Sequence, residues 1–231
     1  MTLFYILSTL VSCTATTNND EPGIQNILPL GDSITEGVPF TYRYPLFNLL
    51  SEENYPFDFV GTQTEGGWDY PEEGWDRDHE GHGGWMTQSI QEELPNWLPQ
   101  YNVDIALVHL GTNDAGADNV EGSYAAMTSI VEQLRAHNDS VAICIAQILP
   151  FGSQLPAEGE EAGAEALNSF VVNWNSKLDN LASELTTATS PIVSVDMHSD
   201  FGDPDLDDDV HPNQSGTEKM AEKWFACISS L

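Results

Sequence analysis

Basic residues are the scarcest resource in this chain: 231 residues carry only 6 Lys plus Arg against 37 Asp plus Glu, a formal charge of −31. Nucleic acid is thereby excluded as a partner, because its phosphates would be repelled rather than neutralised. Anionic membrane surfaces are disfavoured for the same reason. No second composition regime and no internal repeat breaks the chain, which argues against a multidomain or solenoid protein. Cysteine is rare, with three in all. Long apolar runs are missing as well: Leu3 to Val11 is the nearest candidate and falls short of the ~20 residues a bilayer span needs.

What is present is 40% hydrophobic content, enough for one globular domain with a real core. High acidity with ordinary apolar content reads as adaptation to high salt, where carboxylate repulsion is screened over ~3 Å at 1 M rather than ~10 Å at 0.1 M. An ordinary acidic secreted enzyme is the simpler alternative. Residues 1–22 are set apart from the fold as a signal peptide or lipoprotein leader plus polar tether, leaving 23–231 as a single domain. Leu10-Val11-Ser12-Cys13 resembles the lipobox of bacterial lipoproteins, so Cys13 would carry a lipid anchor, although no basic residue precedes the apolar run. The expected location is secreted or cell-surface. Cys144 lies in an apolar strand and Cys227 on the last helix; each reads as a small buried hydrophobe, or the two pair in an oxidising compartment. Spacing does not decide between these.

Apolar runs at Ile27–Gly31, Phe57–Gly61, Ile105–Gly111, Val141–Leu149 and Ile192–Asp196 read as strands. Between them, helical periodicity appears at Pro45–Leu50, along Val120, Tyr124, Met127, Val131 and Leu134, and along Leu167, Phe170, Trp174, Leu178, Leu181 and Leu185. Ser215 with Glu218 suggests a capping box opening a last helix whose stripe is Met220, Trp224, Cys227 and Leu231. Strands apolar on both faces and alternating with helices predict a parallel sheet covered on both sides. The expected fold is α/β: a three-layer α/β/α sandwich around a five-stranded parallel sheet, flavodoxin-like.

In such sheets ligands bind outside the carboxyl ends of the strands. Ser33 follows the first strand in Ile27-Leu28-Pro29-Leu30-Gly31-Asp32-Ser33, and Gly111-Thr112-Asn113-Asp114 follows the third. Asp208 and His211 stand three apart before the last helix. Serine, histidine and a carboxylate are the material of nucleophilic acyl transfer. The irregular stretch Thr62–Trp85, rich in glycine and bearing Trp68, Trp75 and Trp85, reads as an ordered binding loop.

Gly31-Asp32-Ser33, the glycine of Gly83-Gly84-Trp85, Gly111-Thr112-Asn113-Asp114 and Asp208-x-x-His211 together resemble the four blocks of the SGNH (GDSL-type) hydrolase superfamily. The stretches Pro29–Gly37, Tyr42–Leu46, Asp58–Thr62, Asp78–His82 and His109–Asp114 are similar to carbohydrate esterase family 3, mainly acetyl xylan esterases. The resemblance spans Ile27 to Leu231. It implies the SGNH hydrolase fold, with Ser33 as nucleophile, His211 as general base and Asp208 orienting the imidazole. The oxyanion hole would be the N–H groups of Ser33 and Gly84 with the Asn113 side-chain amide. Asp32, Trp85 and Trp75 are assigned to the substrate side, Asp32 also bracing the serine turn. No metal and no cofactor is implied.

Two positions depart from the family pattern. Gly83 stands where serine is expected, and Asp209 replaces a glycine, so that Asp207, Asp208 and Asp209 would line up beside His211 and favour its imidazolium. His79 and His82, flanked by acids, read as loop architecture ahead of metal ligands. Asp203-Pro204-Asp205-Leu206-Asp207 reads as solvated acidic surface rather than a calcium loop. His109 reads as a packed, hydrogen-bonded strand residue. Arg43 reads as structural, pairing with a carboxylate such as Asp78.

The resulting expectation is a monomeric, exported serine esterase deacetylating plant polysaccharide or its oligosaccharides. The alternatives are an SGNH lipase, lysophospholipase or thioesterase acting on acyl chains, or a non-catalytic carbohydrate-binding surface protein. No dockerin-like or carbohydrate-binding module is recognised after the domain.

Overall fold

The central layer is a parallel sheet because its strands are apolar on both faces. In the computed structural model, which describes residues 23–117, 119–155 and 163–231, the strands are β1 (Gln25–Gly31), β2 (Phe57–Phe59), β3 (Glu80–Gly81), β4 (Ile105–His109), β5 (Ala142–Ala146) and β6 (Ile192–Val195). Every pairing between these strands is parallel, in the order β2-β1-β4-β5-β6, with the two-residue β3 added alongside β1 at Leu30 and Gly31. The five longer strands follow the flavodoxin-like order. The expected leader, tether and Cys13 anchor lie outside the described residues.

Six α-helices among the described residues complete the layers: α1 (Ser33–Glu36), α2 (Arg43–Glu52), α3 (Thr87–Trp97), α4 (Val120–His137), α5 (Ala164–Leu185) and α6 (Gln214–Ile228). Strand side chains alternate between two cores, as a period of two requires. Leu28, Leu30, Ala106, Val108, Ile143 and Ile145 pack against α3, α4 and α5. Ile27, Ile105, Leu107, Cys144 and Ala146 pack against α2 and α6. Cys144, on the inner strand β5, and Cys227, on α6, are joined in a disulfide that ties the sheet to its covering helix.

Two local expectations are corrected. Ser215 does not cap α6. Asn213 does, its side chain accepting from Gly216 N–H at 3.1 Å, while its amide donates to Pro204 and Leu206 carbonyls. Asn213 wins because the Leu206–Pro212 bridge delivers the chain to the helix at that residue. Helix α3, absent from the periodic reading, forms where Ile90 and Leu94 supply its only fully buried apolar side chains and Pro95 interrupts the pattern.

Candidate active site

Strand β1 ends at Gly31, and the chain turns at once into α1. Asp32 Oδ1 accepts the Ile34 N–H at 3.0 Å and so caps this single helical turn. Ser33 is its first residue, partly exposed at the carboxyl edge of the sheet. Gly37 closes the turn at φ +89°, a conformation that favours glycine, with its N–H on the Ser33 carbonyl at 2.7 Å.

The last loop brings histidine to this serine across 178 positions of sequence: His211 Nε2 lies 2.9 Å from Ser33 Oγ. On its other side His211 Nδ1 lies 2.9 Å from Asp208 Oδ2. Asp208 Oδ1 accepts the backbone N–H groups of His211 and Val210 at 2.6 and 2.7 Å. One carboxylate thus fixes both the loop and the ring. Partial burial works against its charge, but these bonds outweigh that and hold the Asp208 carboxyl below its ordinary range. The row of three carboxylates expected beside His211 does not form. Asp209 turns away, its Oδ1 accepting Gln154 N–H at 3.1 Å and its carbonyl accepting Gly152 N–H at 2.8 Å.

Opposite stands the Gly83-Gly84 turn that follows β3. Gly83 N–H donates to Glu36 Oε2 at 2.8 Å, and Gly84 adopts φ +78° facing open space. A side chain at 83 would crowd that carboxylate, its Cβ falling 2.6 Å from Glu36 Oε2, so glycine leaves the approach clear. Asn113, just beyond β4, donates one amide hydrogen to the Trp85 carbonyl at 3.0 Å and has a second to offer. Its neighbour Asp114 is buried and accepts Thr87 N–H and Oγ1–H, both at 3.0 Å, and Ser123 Oγ–H at 2.5 Å. Asp114 therefore locks α3 and α4 to the loop that carries Asn113.

The residues expected on the substrate side fare differently. Asp32 is fully buried, so it supports the turn and is closed to a ligand. Burial raises its carboxyl to about 6, and Oδ2 has no hydrogen-bond partner. Trp75 is only 8% exposed, its Nε1 donating to Pro71 and its ring lying under the Arg43 and Arg77 guanidinium groups at 5.3 and 5.5 Å. It is the hub of the loop, because two cations and Tyr44 already occupy its surroundings. Trp85 is partly buried in a stack with His82 and Trp97.

Arg43 is structural, as expected, but carbonyls rather than Asp78 receive it. Its guanidinium donates to Thr35, Arg77, Glu36 and Glu65 carbonyls at 2.6–3.1 Å while wholly buried. Burial lowers its pKa to about 9. His79 is consumed by the loop backbone, with Nε2 at 2.8 Å from the Glu65 carbonyl and Nδ1 accepting Gly81 N–H. His109 is buried as expected, yet neither ring nitrogen finds a hydrogen-bond partner. Asp205 is not solvated surface; it is buried and pairs with Lys219 at 2.8 Å.

Glu36, Asp114 and Arg77 were not singled out by sequence reasoning. A carboxylate three places after the serine, on the same helical turn, was the available signal for Glu36. Arg77 donates to Thr64 and Gly66 carbonyls, and backbone acceptors leave no trace in sequence.

Among curated proteins, the chain is 28% identical over 227 residues to a multidomain esterase of Ruminococcus flavefaciens, covering 89% of this chain and 28% of that protein. It is 23% identical to an acetylxylan esterase of Xylanibacter ruminicola, covering 86% of this chain and 42% of the relative. The chain therefore spans less than half the length of both. Among solved structures, a carbohydrate esterase family 3 protein from Talaromyces cellulolyticus superposes with a TM-score of 0.74 at 28% identity, over 90% of this chain and 97% of that one. The model of the GDSL-like Lipase/Acylhydrolase family matches residues 30–219, and with the fold and the Ser33 turn already described, the chain belongs to that hydrolase family.

Proposed function

We propose that this chain is a serine esterase that removes acetyl groups from plant polysaccharide, xylan first. The observation that carries the reading is the unbroken run from Ser33 Oγ to His211 Nε2 and from His211 Nδ1 to Asp208, 2.9 Å at each step. A serine hydroxyl becomes a useful nucleophile only when a base takes its proton, and the Asp208 carboxylate holds the tautomer that leaves Nε2 free to do so.

In this mechanism Ser33 Oγ attacks the acetyl carbonyl as His211 accepts its proton. Negative charge develops on the carbonyl oxygen and is met by the N–H groups of Ser33 and Gly84 and the free amide hydrogen of Asn113. The tetrahedral intermediate collapses, the sugar oxygen leaves with the proton from His211, and an acetyl group remains on Ser33. Water, activated by the same imidazole, then attacks that ester and releases acetate. The named relatives support acetyl as the acyl group. The Cys144–Cys227 disulfide supports export, since such bonds persist in oxidising compartments.

Acetate release from acetylated xylan tests the reading, with Ser33→Ala as control. Wild type is expected to release acetate and to prefer p-nitrophenyl acetate to the octanoate ester, and Ser33→Ala to lose both activities. Preference for octanoate or lysophospholipid would overturn the deacetylase reading. Equal, negligible hydrolysis by wild type and Ser33→Ala would favour a sugar-binding protein.

A further inference from the structure

The 62–85 loop holds a cavity of about 400 Å³ lined by Thr64, Glu65, Trp68, Tyr70, Glu72 and Arg77, none of which belongs to the catalytic machinery proposed above. Trp68 is 60% exposed, while Trp75 in the same loop is 8% exposed. An indole left in water forgoes the gain of apolar burial, so this ring is available to a ligand with an apolar face.

The rim narrows that ligand. Glu65 and Glu72 bring carboxylates and Thr64 and Tyr70 bring hydroxyl groups, which suit hydroxyl partners and oppose an acyl chain. The one cation, Arg77, is no anion receptor: its donors rest on Thr64 and Gly66 carbonyls at 3.0 and 2.8 Å, with Nη1 at 3.5 Å from that of Glu72, and its plane covers Trp75. In a chain of formal charge −31 an acidic ligand is therefore disfavoured, and the hydroxyl-bearing rim suits a polyhydroxylated one. A pyranose ring, with axial C–H groups on its faces and hydroxyls at its edge, has that combination.

The site is also built in advance and tied to the nucleophile turn. Tyr70 stacks on Tyr44 at 4.6 Å and its hydroxyl meets Thr217 Oγ1 at 3.0 Å. Gly67 N–H donates to the Gly37 carbonyl at 2.8 Å, and Gly37 N–H donates to the Ser33 carbonyl. The residue before Trp68 is thus two hydrogen bonds from Ser33.

We infer that the Trp68 cavity is a glycan subsite, separate from the ester-cleaving centre, that stacks a neutral pyranose of the polysaccharide main chain against the indole. The inference rests on the deacetylase reading for its role in catalysis, and its binding arm is independent of that reading. Trp68→Ala is expected to leave kcat/KM on p-nitrophenyl acetate unchanged while raising KM on acetylated xylan roughly five- to tenfold, the scale of one aromatic contact; Trp68→Phe should recover part of it. In the Ser33→Ala background, calorimetry with xylohexaose and cellohexaose should show binding of at least one, weakened equally by Trp68→Ala. An oligogalacturonide of similar length should bind less well.

Unchanged KM and unchanged oligosaccharide affinity in Trp68→Ala would overturn the subsite, as would tighter binding of the acidic sugar or binding of neither neutral one. Loss of p-nitrophenyl acetate hydrolysis by Trp68→Ala would place the residue in the fold or the catalytic centre instead, also overturning it. If wild type itself failed on that ester, the esterase reading would fall while the calorimetry still decided the subsite.

Discussion

Glu36 Oε2 accepts the backbone N–H of Gly83 at 2.8 Å, joining the helical turn that begins at Ser33 to the loop that presents Gly84. Two parts of the proposed reaction centre, Ser33 and Gly84, follow β1 and β3, and this carboxylate spans them from one side. A charged hydrogen bond of this kind is worth about 1.5–3 kcal/mol. If it sets the Gly84 donor against the developing oxyanion, its loss falls on the transition state more than on substrate binding. Glu36→Ala is expected to lower kcat roughly 10–100-fold with KM little changed. Glu36→Gln, which keeps an acceptor oxygen, should restore most of it. A Gln variant as impaired as Ala, or a change confined to KM, would refute this role.

Charge sets the second expectation. Each of the six cations is already engaged: Arg43, Arg77 and Arg135 on backbone carbonyls, Lys177 on Glu121, Lys219 on Asp205, and Lys223 near Asp200. None is left to neutralise the remaining acidic surface. Added salt screens it instead: the distance over which carboxylates repel shrinks from ~10 Å at 0.1 M to ~3 Å at 1 M. The Tm should climb as NaCl rises from low to molar concentration. A flat or falling Tm across that range would reject salt adaptation.

The strands and the four sequence blocks of the candidate site were legible because each rests on something periodic or local. Runs apolar on both faces announced the parallel sheet, and Ser33, Asn113 and His211 sit at strand ends or ahead of a helix, where sequence order alone places them on one edge. What escaped was held by partners distant in sequence. Strand β3 consists of Glu80 and Gly81, neither a strand former, and exists because β1 offers a ladder. Arg43 was legible as structural but not in its partners, since backbone carbonyls have no residue type. Trp75 was read as a substrate-side residue and Trp68 only as part of the loop; the Arg43–Arg77 clasp makes Trp75 a buried hub and leaves Trp68 the exposed ring.

The buried histidines should contribute a loss of stability in acid. Burial lowers His109 from 6.5 to about 4 and His79 to about 2. Below the unfolded value the denatured chain takes up a proton that the folded chain refuses, so stability falls as pH drops from about 6.5 through those values. Asp32 acts in the opposite sense: with its carboxyl raised to about 6, the folded state gains a proton first, and stability grows as pH falls from about 6 towards 4. Asp76 and Asp78, also raised by burial, act with Asp32, and protonating surface carboxylates relieves charge repulsion, so the histidine contribution is read from the difference between wild type and a His109 variant. His109 alone accounts for about 3 kcal/mol across its window. His109→Leu removes a ring whose nitrogens are unpaired, so urea titrations should show a flatter stability profile between pH 6.5 and 4. An unaltered profile would mean that His109 is not held neutral.

The disulfide offers the cleanest separation of stability from activity. It links the inner strand β5 to α6 across a sequence separation of 83, and in the chain-entropy picture closing a loop of that size restricts the unfolded ensemble by about 4–5 kcal/mol. Native-state relaxation and residual denatured structure both reduce that figure. The Cys144→Ala/Cys227→Ala variant should therefore lose about 2–5 kcal/mol in urea. Cys144 packs in the core between β5 and α6, away from the strand ends that present Ser33 and Asn113. Turnover at temperatures where the variant stays folded should match wild type. Thiol titration of denatured, unreduced protein supplies the chemical check: Cys144 and Cys227 should react only after reduction. Immediate reaction of both, or a double variant as stable as wild type, would remove the cross-link from the account of this fold.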